Sequence, residues 1–284
     1  MPDTPLRLFL FAADLDTALR AEAAGVNSVI VDWERHGKHA RQCGHDTEIN
    51  DHSVAAVSRL SSRLGIPVTV RLNPLHEGTR AEVRRALDGG ASTLMLPMAQ
   101  SPDEVEAFVP VVAGRARTLI QIETQALADR CAALRSIDWD YVHVGLNDLK
   151  ISRGDAWLWT PLLDGTIERI HRALAGRVVG FGGATVIGGG VPIPFVGLLR
   201  EMARLHAGMA LLRRSFLREA AGRDWGAELR AVRAAWDALH ERTPAAERRD
   251  HDALTALLRT LSPAPQPDLQ RFSAPFRRPA LLPL

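Results

Sequence analysis

Short apolar runs alternate with amphipathic segments along most of the chain. Runs rich in valine, isoleucine and leucine predict buried strands, and the segments between them have the apolar spacing of helices that face a core. The predicted strands are Leu6–Phe11, Ser28–Asp32, Pro67–Leu72, Thr93–Leu96, Thr118–Ile122, Tyr141–Val144, Val178–Phe181 and Met209–Leu212. The predicted helices are Leu15–Ala24, Ser53–Leu64, Arg80–Asp88, Pro102–Val112, Gln125–Ser136, Pro161–Leu174, Phe195–Leu205 and Trp225–Glu241. Such alternation is typical of βαβ units and a parallel sheet.

Eight predicted strands and eight predicted helices favour a (β/α)8 TIM barrel over an open, doubly wound sheet. A length of 284 residues fits one barrel domain. We expect the barrel and its final helix to occupy residues 1–243, and a C-terminal extension to occupy residues 244–284. The end of that extension, Ser262–Leu284, is rich in proline and is predicted to be a disordered tail or an arm packed on a neighbouring subunit.

Composition narrows the class of protein. An apolar fraction of 46% and a charged fraction of 24% are ordinary for a soluble globular protein, and a net charge of +2 gives no indication of nucleic-acid binding. The apolar run Leu6–Ala13 is too short to span a membrane and lacks the flanks of a signal peptide. The two cysteines, Cys43 and Cys131, form no disulfide framework. We therefore expect a cytoplasmic protein without a membrane or nucleic-acid partner.

Two successive predicted strands end in carboxylates. Glu123 follows one strand, and Asp148 follows the next after Gly145-Leu146-Asn147. Neighbouring parallel strands lie about 4.8 Å apart, so that acids at the same ends of both can reach one hard cation. Each acid could instead stabilise the first turn of a helix. Together they predict a divalent-metal site.

Further polar residues follow the second and third predicted strands. Arg71 is expected to point into the barrel mouth and hold a carboxylate or enolate oxygen, or else to form an ion pair that closes the barrel end. Asp32, Glu34, Arg35 and His36 crowd the end of the second strand. One of them is expected to act as a general base or to orient a catalytic water, but their spacing does not decide which.

Three other features have weaker interpretations. The loop cluster His36, His39, Cys43 and His45 matches no standard zinc pattern and is expected to be solvated. The glycine-rich region comprises Gly180, Gly182, Gly183 and Gly188-Gly189-Gly190, and it could bind phosphate, form a lid or simply turn the chain. Lysine occurs only at Lys38 and Lys150, and neither position suggests Schiff-base chemistry.

These motifs resemble the metal-dependent 2-oxo-acid aldolase and citrate lyase β-subunit family, whose barrel handles pyruvate and phosphoenolpyruvate. The resemblance runs from about Leu6 to Phe216 and rests on short motifs in the same order. They are Val31-Asp32-Trp33-Glu34, Val70-Arg71-Leu72-Asn73-Pro74, Leu94-Met95-Leu96-Pro97-Met98, Gln121-Ile122-Glu123-Thr124 and Gly145-Leu146-Asn147-Asp148-Leu149.

The resemblance implies Mg²⁺ or Mn²⁺ on Glu123 and Asp148, with Arg71 on the substrate's oxo or enolate oxygen. It implies that Gln121 supports the metal through water, that amides near Asn147 and Asp148 receive the substrate carboxylate, and that Pro97 belongs to the substrate site. It also implies a homo-oligomer.

The chain departs from the family's pattern beside Glu34. Aldolase members have a histidine directly after that acid, whereas this chain has Arg35 there and His36 one residue later. We expect a metal-dependent carbon–carbon lyase of the aldolase type, acting on a small 2-oxo or hydroxy acid. An acyl-CoA lyase or thioesterase, with Arg213-Arg214 near the nucleotide, and a non-catalytic metabolite- or partner-binding barrel remain alternatives.

Overall fold

The computed structural model describes residues 5–35 and 54–263. Its strands are β1 Arg7–Phe11, β2 Ser28–Asp32, β3 Val68–Arg71, β4 Thr93–Leu96, β5 Arg117–Ile122, β6 Tyr141–Val144, β7 Val178–Ala184 and β8 Met209–Leu212. Each strand pairs in parallel with the next, and β8 pairs with β1, so that the sheet closes. The predicted (β/α)8 TIM barrel is confirmed, and the open sheet is excluded.

Helices surround this barrel. They are α1 Leu15–Ala23, α2 Val54–Ser61, α3 Thr79–Asp88, α4 Pro102–Val112, α5 Gln125–Asp129, α6 Leu146–Arg153, α7 Thr160–Leu163, α8 Thr166–Ala173, α9 Phe195–Arg204, α10 Arg214–Glu219, α11 Trp225–His240 and α12 Pro244–Leu261. A 3₁₀ helix, Cys131–Ser136, follows α5. None of the helices in the described ranges has the length and apolarity needed to cross a bilayer.

Some predicted helices have different bounds. The helix predicted over Gln125–Ser136 changes to 3₁₀ geometry after Arg130, and the one predicted over Pro161–Leu174 breaks at Gly165, which adopts a left-handed conformation with φ of 79°. Helix α6 was not predicted, although it has an acid in its first turn, basic residues in its last turn and Gly154 as its left-handed C-cap. Helix α6 matters because it carries Asp148.

Two apolar layers hold the barrel together. Alternate strand residues point inward and pack in the barrel interior as Phe9, Ile30, Met95, Leu119, Tyr141 and Met209. The other strand faces pack against the helices in a larger core. This alternation means that residues of the same parity near the carboxyl ends of the strands, such as Arg71 and Gln121, also face the barrel axis.

Strand β7 is irregular where it approaches β8. A Cβ atom on Gly180 would lie 2.0 Å from the backbone oxygen of Met209, so that only glycine fits there. The register shifts between Gly180 and Gly183, and Gly182 has a φ of 62°. The predicted glycine-rich region is therefore in part a bulge within a strand rather than a loop after it.

The start of the predicted C-terminal extension is helical and packs on the barrel. Leu254 and Leu258 of α12 are buried, and His251 lies 3.0 Å from the Glu201 carboxylate of α9. The predicted arm after Pro263 lies outside the described residues.

Candidate functional site

The carboxyl end of the barrel gathers most of the predicted site residues. Arg71 ends β3, Glu123 directly follows β5, and Asp148 lies in the first turn of α6 after β6. Asp32 ends β2, and Glu34 lies two residues further on. All four acids are buried, with exposed fractions between 1% and 8%.

Glu123 is held between two neighbouring turns. Its Oε1 accepts a hydrogen bond of 2.9 Å from the backbone N–H of Met98, which adopts a φ of 55° in the turn after β4. Its Oε2 lies against Gly145, where an added Cβ would come within 2.6 Å. The carboxylate thus occupies space that any other residue at position 145 would fill, and it faces the turn that carries Asp148.

The charges around Glu123 are unbalanced. Burial, and then the Asp148 and Glu34 carboxylates, raise its pKa from an ordinary value of 4.5 to about 8, against the opposing effects of Arg71 and the Met98 N–H. A bound cation would offset both the cost of burying the carboxylate and its repulsion by Asp148 and Glu34. The donor set therefore fits a hard divalent metal.

The carboxylates around Glu123 offer few protein ligands to a metal. No three His, Cys, Asp or Glu side chains within residues 5–35 and 54–263 are grouped as a metal site. Glu123 and Asp148 would therefore form a pair of carboxylate ligands, the arrangement that Mg²⁺ uses when water and substrate complete its octahedron.

Arg71 is engaged with the second strand. Its Nε and Nη2 donate to Asp32 Oδ1 and Oδ2 at 2.9 Å and 2.6 Å, and its Nη1 lies 3.5 Å from Glu34 Oε2. The guanidinium also lies over the Phe11 ring, 4.9 Å from its centroid. Burial opposes its charge, but Asp32, Glu34 and Glu123 raise the pKa of Arg71 above its ordinary value.

The chain leaving β2 is fixed by Asn73. The Arg35 N–H donates to Asn73 Oδ1 at 2.8 Å, and Asn73 Nδ2 donates to the buried Glu82 at 2.6 Å. The Arg35 side chain is exposed. His36, the predicted proton carrier, lies outside the described residues, as do His39, Cys43, His45 and Lys38.

The remaining predicted substrate residues lie on several elements. Pro97 is buried directly before Met98, whereas Asn147 is exposed in the first turn of α6. Gln121 is buried in β5, and its Oε1 has no hydrogen-bond partner within the described chain. Lys150 is half-buried in the last turn of α6.

His143 was missed by the sequence analysis. It pairs in register with Gln121 inside the barrel, and its Nε2 lies 2.8 Å from the Gly182 backbone oxygen. Burial lowers its pKa to about 4, so the neutral ring donates through Nε2, and the buried Nδ1 finds no acceptor or donor in the described ranges. The signal was the alternation in β6, which gives His143 the inward parity of Tyr141.

No family model matches this chain, and no curated protein matches its sequence. Solved structures do match its fold. A citrate synthase, SbnG, has a TM-score of 0.57 at 15% identity, covering 83% of this chain and 95% of its own. A citrate lyase from Burkholderia xenovorans LB400 has a TM-score of 0.55 at 16% identity, covering 89% and 92%.

Two further solved structures match this chain with slightly lower TM-scores. RipC from Yersinia pestis has a TM-score of 0.53 at 17% identity, covering 86% of this chain and 99% of its own. A phosphoribosyl anthranilate isomerase from Thermus thermophilus also has a TM-score of 0.53, at 16% identity and with coverage of 82% and 100%. Since an isomerase and a lyase score alike, these likenesses show the barrel fold, and any function must be argued from the site.

Proposed function

We propose that this chain is a metal-dependent carbon–carbon lyase of the aldolase type. It cleaves or forms a small 2-oxo or hydroxy carboxylic acid through a pyruvate-like enolate. The observation that carries the proposal is the approach of Glu123 to the turn bearing Asp148, inside a buried cluster with excess negative charge beside Arg71.

Each residue has a role in that reaction. Glu123 and Asp148 would hold Mg²⁺ or Mn²⁺, which would supply a Lewis acid for the oxo group of the substrate. Arg71 keeps a fixed positive charge beside the oxygen that becomes negative. First-turn amides of α6, at Asn147 and Asp148, donate to the substrate carboxylate, Pro97 lines the substrate, and Gln121 accepts a hydrogen bond from water or substrate.

Cleavage balances as an aldol reaction. The carbon–carbon bond breaks, its electron pair passes to the enolate of the pyruvate fragment, and the hydroxyl proton goes to a base, so that the other fragment leaves as a carbonyl compound. The enolate then takes a proton on carbon. The base is proposed to be His36 or a water that the loop after β2 orients.

A turnover assay tests this proposal. Pyruvate and an aldehyde are incubated with chelator-treated protein, with and without MgCl₂ or MnCl₂, and condensation is expected only with metal. Condensation that persists fully without metal, or borohydride trapping of pyruvate on Lys150 or Lys38, would overturn the metal mechanism. Hydrolysis of an acyl-CoA thioester in place of condensation would favour the acyl-CoA alternative.

A further inference from the structure

Arg213 follows the last strand of the barrel and shares the inward parity of its neighbours. Met209 belongs to the interior layer and Leu211 packs against that layer, so Arg213 comes next on the same side of the chain. Its backbone N–H donates to the Ala184 oxygen at 2.9 Å, which fixes it at the end of β8 beside β7. Arg213 therefore starts at the same end of the barrel as Glu123 and Arg71.

The guanidinium of Arg213 is buried without its usual partners. Both Nε and Nη2 are inaccessible to water and have no hydrogen-bond partner in the described residues. Burial lowers the pKa of Arg213, and the charge of Glu219 only partly offsets this effect. That acid is already occupied, since its Oε2 accepts from Thr185 Oγ1 at 2.8 Å and from the Gly190 N–H at 3.2 Å.

A comparison with Arg71 shows what the unused atoms can bind. In Arg71 the same two atoms, Nε and Nη2, grip both oxygens of the Asp32 carboxylate. This edge is the part of an arginine that binds a planar carboxylate or a phosphate through two parallel hydrogen bonds. In Arg71 this edge binds the Asp32 carboxylate, whereas in Arg213 it binds no group of the described chain.

We propose that Arg213 binds an acidic group at the far end of the substrate, away from the bond that is made or broken. The role of Arg213 in binding substrate rests on the proposed lyase function. The ability of Arg213 to bind an anion does not depend on that function. A carboxylate fits the planar edge best, and a phosphate shares the same chemistry. The aldehyde that reacts with pyruvate is therefore expected to carry an acidic group of its own, in addition to the carboxylate of pyruvate.

The location of Arg213 sets the length of that substrate. Strand β7 separates β8 from β6, so that the ends of β6 and β8 lie about 10 Å apart at the usual strand spacing. A substrate that reaches from the metal carboxylates to Arg213 needs several carbon atoms between its two acidic ends. A short uncharged aldehyde would leave Arg213 unused.

The loop between β7 and α9 covers this arginine. A Cβ atom on Gly190 would lie 2.7 Å from Arg213 Nη2, and one on Gly183 would lie 2.8 Å from Arg213 Cβ. Gly190 also lines a cavity of about 400 Å³, together with Gly188, Gly189, Ser215, Arg218 and Glu219. Arg213 Nη2 therefore lies beside a loop that also lines this cavity, where Arg218 adds positive charge. An anion binds the guanidinium only after it displaces the packing that buries Nε and Nη2.

Arg213→Met tests the anion site without any assay of turnover. Removal of an unpaired buried charge should raise the melting temperature of the free protein, whereas loss of a structural ion pair would lower it. Glutarate and inorganic phosphate are then titrated by calorimetry against wild type and variant. Glutarate should bind wild type, and its affinity should fall about tenfold or more in the variant, as expected for a charged hydrogen bond.

The matched control is Arg230→Met. Arg230 is an exposed arginine on α11 with a loose ion pair of 3.9 Å to Asp224, so its loss should change neither glutarate affinity nor melting temperature. Phosphate binding stronger than glutarate binding would assign the site to phosphorylated substrates. Equal anion affinities in wild type and Arg213→Met, or a lower melting temperature in the variant, would overturn the proposal.

Kinetics then separate this inference from the proposed function. With pyruvate as donor, 5-oxopentanoate is compared with pentanal, and glyceraldehyde 3-phosphate with glyceraldehyde. Arg213→Met should raise KM for the charged aldehydes about tenfold or more while leaving the uncharged ones unchanged. Absence of all turnover together with intact glutarate binding would reject the lyase and keep the anion site. An equal loss for charged and uncharged aldehydes would reject the site as a specificity determinant.

Discussion

The two ends of the barrel carry opposite charges. At the carboxyl end, the buried acids Asp32, Glu34, Glu123 and Asp148 surround one engaged arginine, Arg71. At the opposite end, Arg7 and Arg117 lie near Tyr141, with their Cζ atoms 6.0 Å and 5.9 Å from its ring centroid. Asp32, Arg71 and Glu123 continue the inward-facing rows of their strands, in which Arg7, Arg117 and Tyr141 also lie.

The interactions at the two ends differ in kind. At the amino end, Arg117 donates to the Tyr141 hydroxyl, and the Ser28 and Thr69 hydroxyls lie 2.7 Å apart, so each contact involves at least one neutral group. At the carboxyl end the fold buries like charges close together, and burial and the neighbouring carboxylates raise the pKa of Glu123 to about 8. In barrels the amino end usually serves stability and the carboxyl end chemistry. Variants at the two ends of the barrel test whether that division holds here.

The largest effect is expected from the two proposed metal ligands. Glu123→Gln and Asp148→Asn should each lower Mn²⁺ and Mg²⁺ affinity by more than about 100-fold, since even residues behind metal ligands contribute 10–100-fold. Turnover should be lost. Calorimetric titration measures the affinity. The control is Asp140→Asn, because Asp140 comes directly before β6, at the amino end of the barrel, and accepts a hydrogen bond from the Thr118 N–H. Unchanged metal affinity in both ligand variants would show the assignment to be wrong.

The next effect concerns the proton carrier. His36→Ala should reduce turnover about 10²–10⁴-fold, the usual contribution of general acid–base catalysis, while metal and pyruvate still bind. Arg35→Ala should matter less, because the Arg35 side chain is exposed and its backbone N–H to Asn73 remains. Steady-state kinetics decide between them. Normal turnover in His36→Ala together with lost turnover in Arg35→Ala would mean that the base is not His36.

The sequence pattern sufficed for the architecture. Four strands, among them Ser28–Asp32 and Tyr141–Val144, have the predicted bounds, because uninterrupted apolar runs of strand length leave little choice. The proximity of Glu123 to the turn bearing Asp148 also follows from their places at adjacent strand ends. These features depend on order along the chain and on strand spacing alone.

Side-chain pairing was beyond the sequence. Asp32 on β2 and Arg71 on β3 are register partners. Only that register shows that Asp32 occupies the Nε and Nη2 edge of Arg71. The unused edge of Arg213 and the unpaired Nδ1 of His143 likewise depend on what lies nearby in space. Helix α6 was missed because eight residues after a strand gave a weak helical period.

Arg71 should affect both stability and rate. Arg71→Met leaves Asp32 buried without its partner, which typically costs about 3–5 kcal/mol in the free energy of unfolding. Turnover should fall about 10²–10³-fold, as for other fixed charges beside a developing anion. Arg71→Lys keeps the charge but loses the two-pronged contact and should lie between these limits. Urea unfolding and kinetics are measured together. Large destabilisation with near-normal kinetics would identify a purely structural ion pair.

The pH dependence of the metal-free protein should reveal the carboxylate cluster. Between about pH 4.5 and pH 8 the folded protein keeps a proton on Glu123 that the unfolded chain has released, so the free energy of unfolding falls as pH rises. The loss should be on the order of a few kcal/mol, at about 1.4 kcal/mol per unit of pKa shift. Glu123→Gln should flatten the dependence, and Mn²⁺ should restore stability at high pH. A stability that rises across this range in metal-free wild type would contradict the shift.

The smallest effect is expected at the amino end of the barrel. Arg117→Met removes a cation–π contact and a hydrogen bond to Tyr141, and Tyr141→Phe removes the hydrogen bond alone. Each should lower the free energy of unfolding by about 1 kcal/mol, as such contacts usually do. The double variant should lose little more than Arg117→Met, because both changes act on one contact. Metal affinity and turnover should stay unchanged, since Leu119 and Gln121 lie between Arg117 and Glu123 along β5. If either variant weakens Mn²⁺ binding, the two ends are coupled through the barrel interior and the division between stability and chemistry fails.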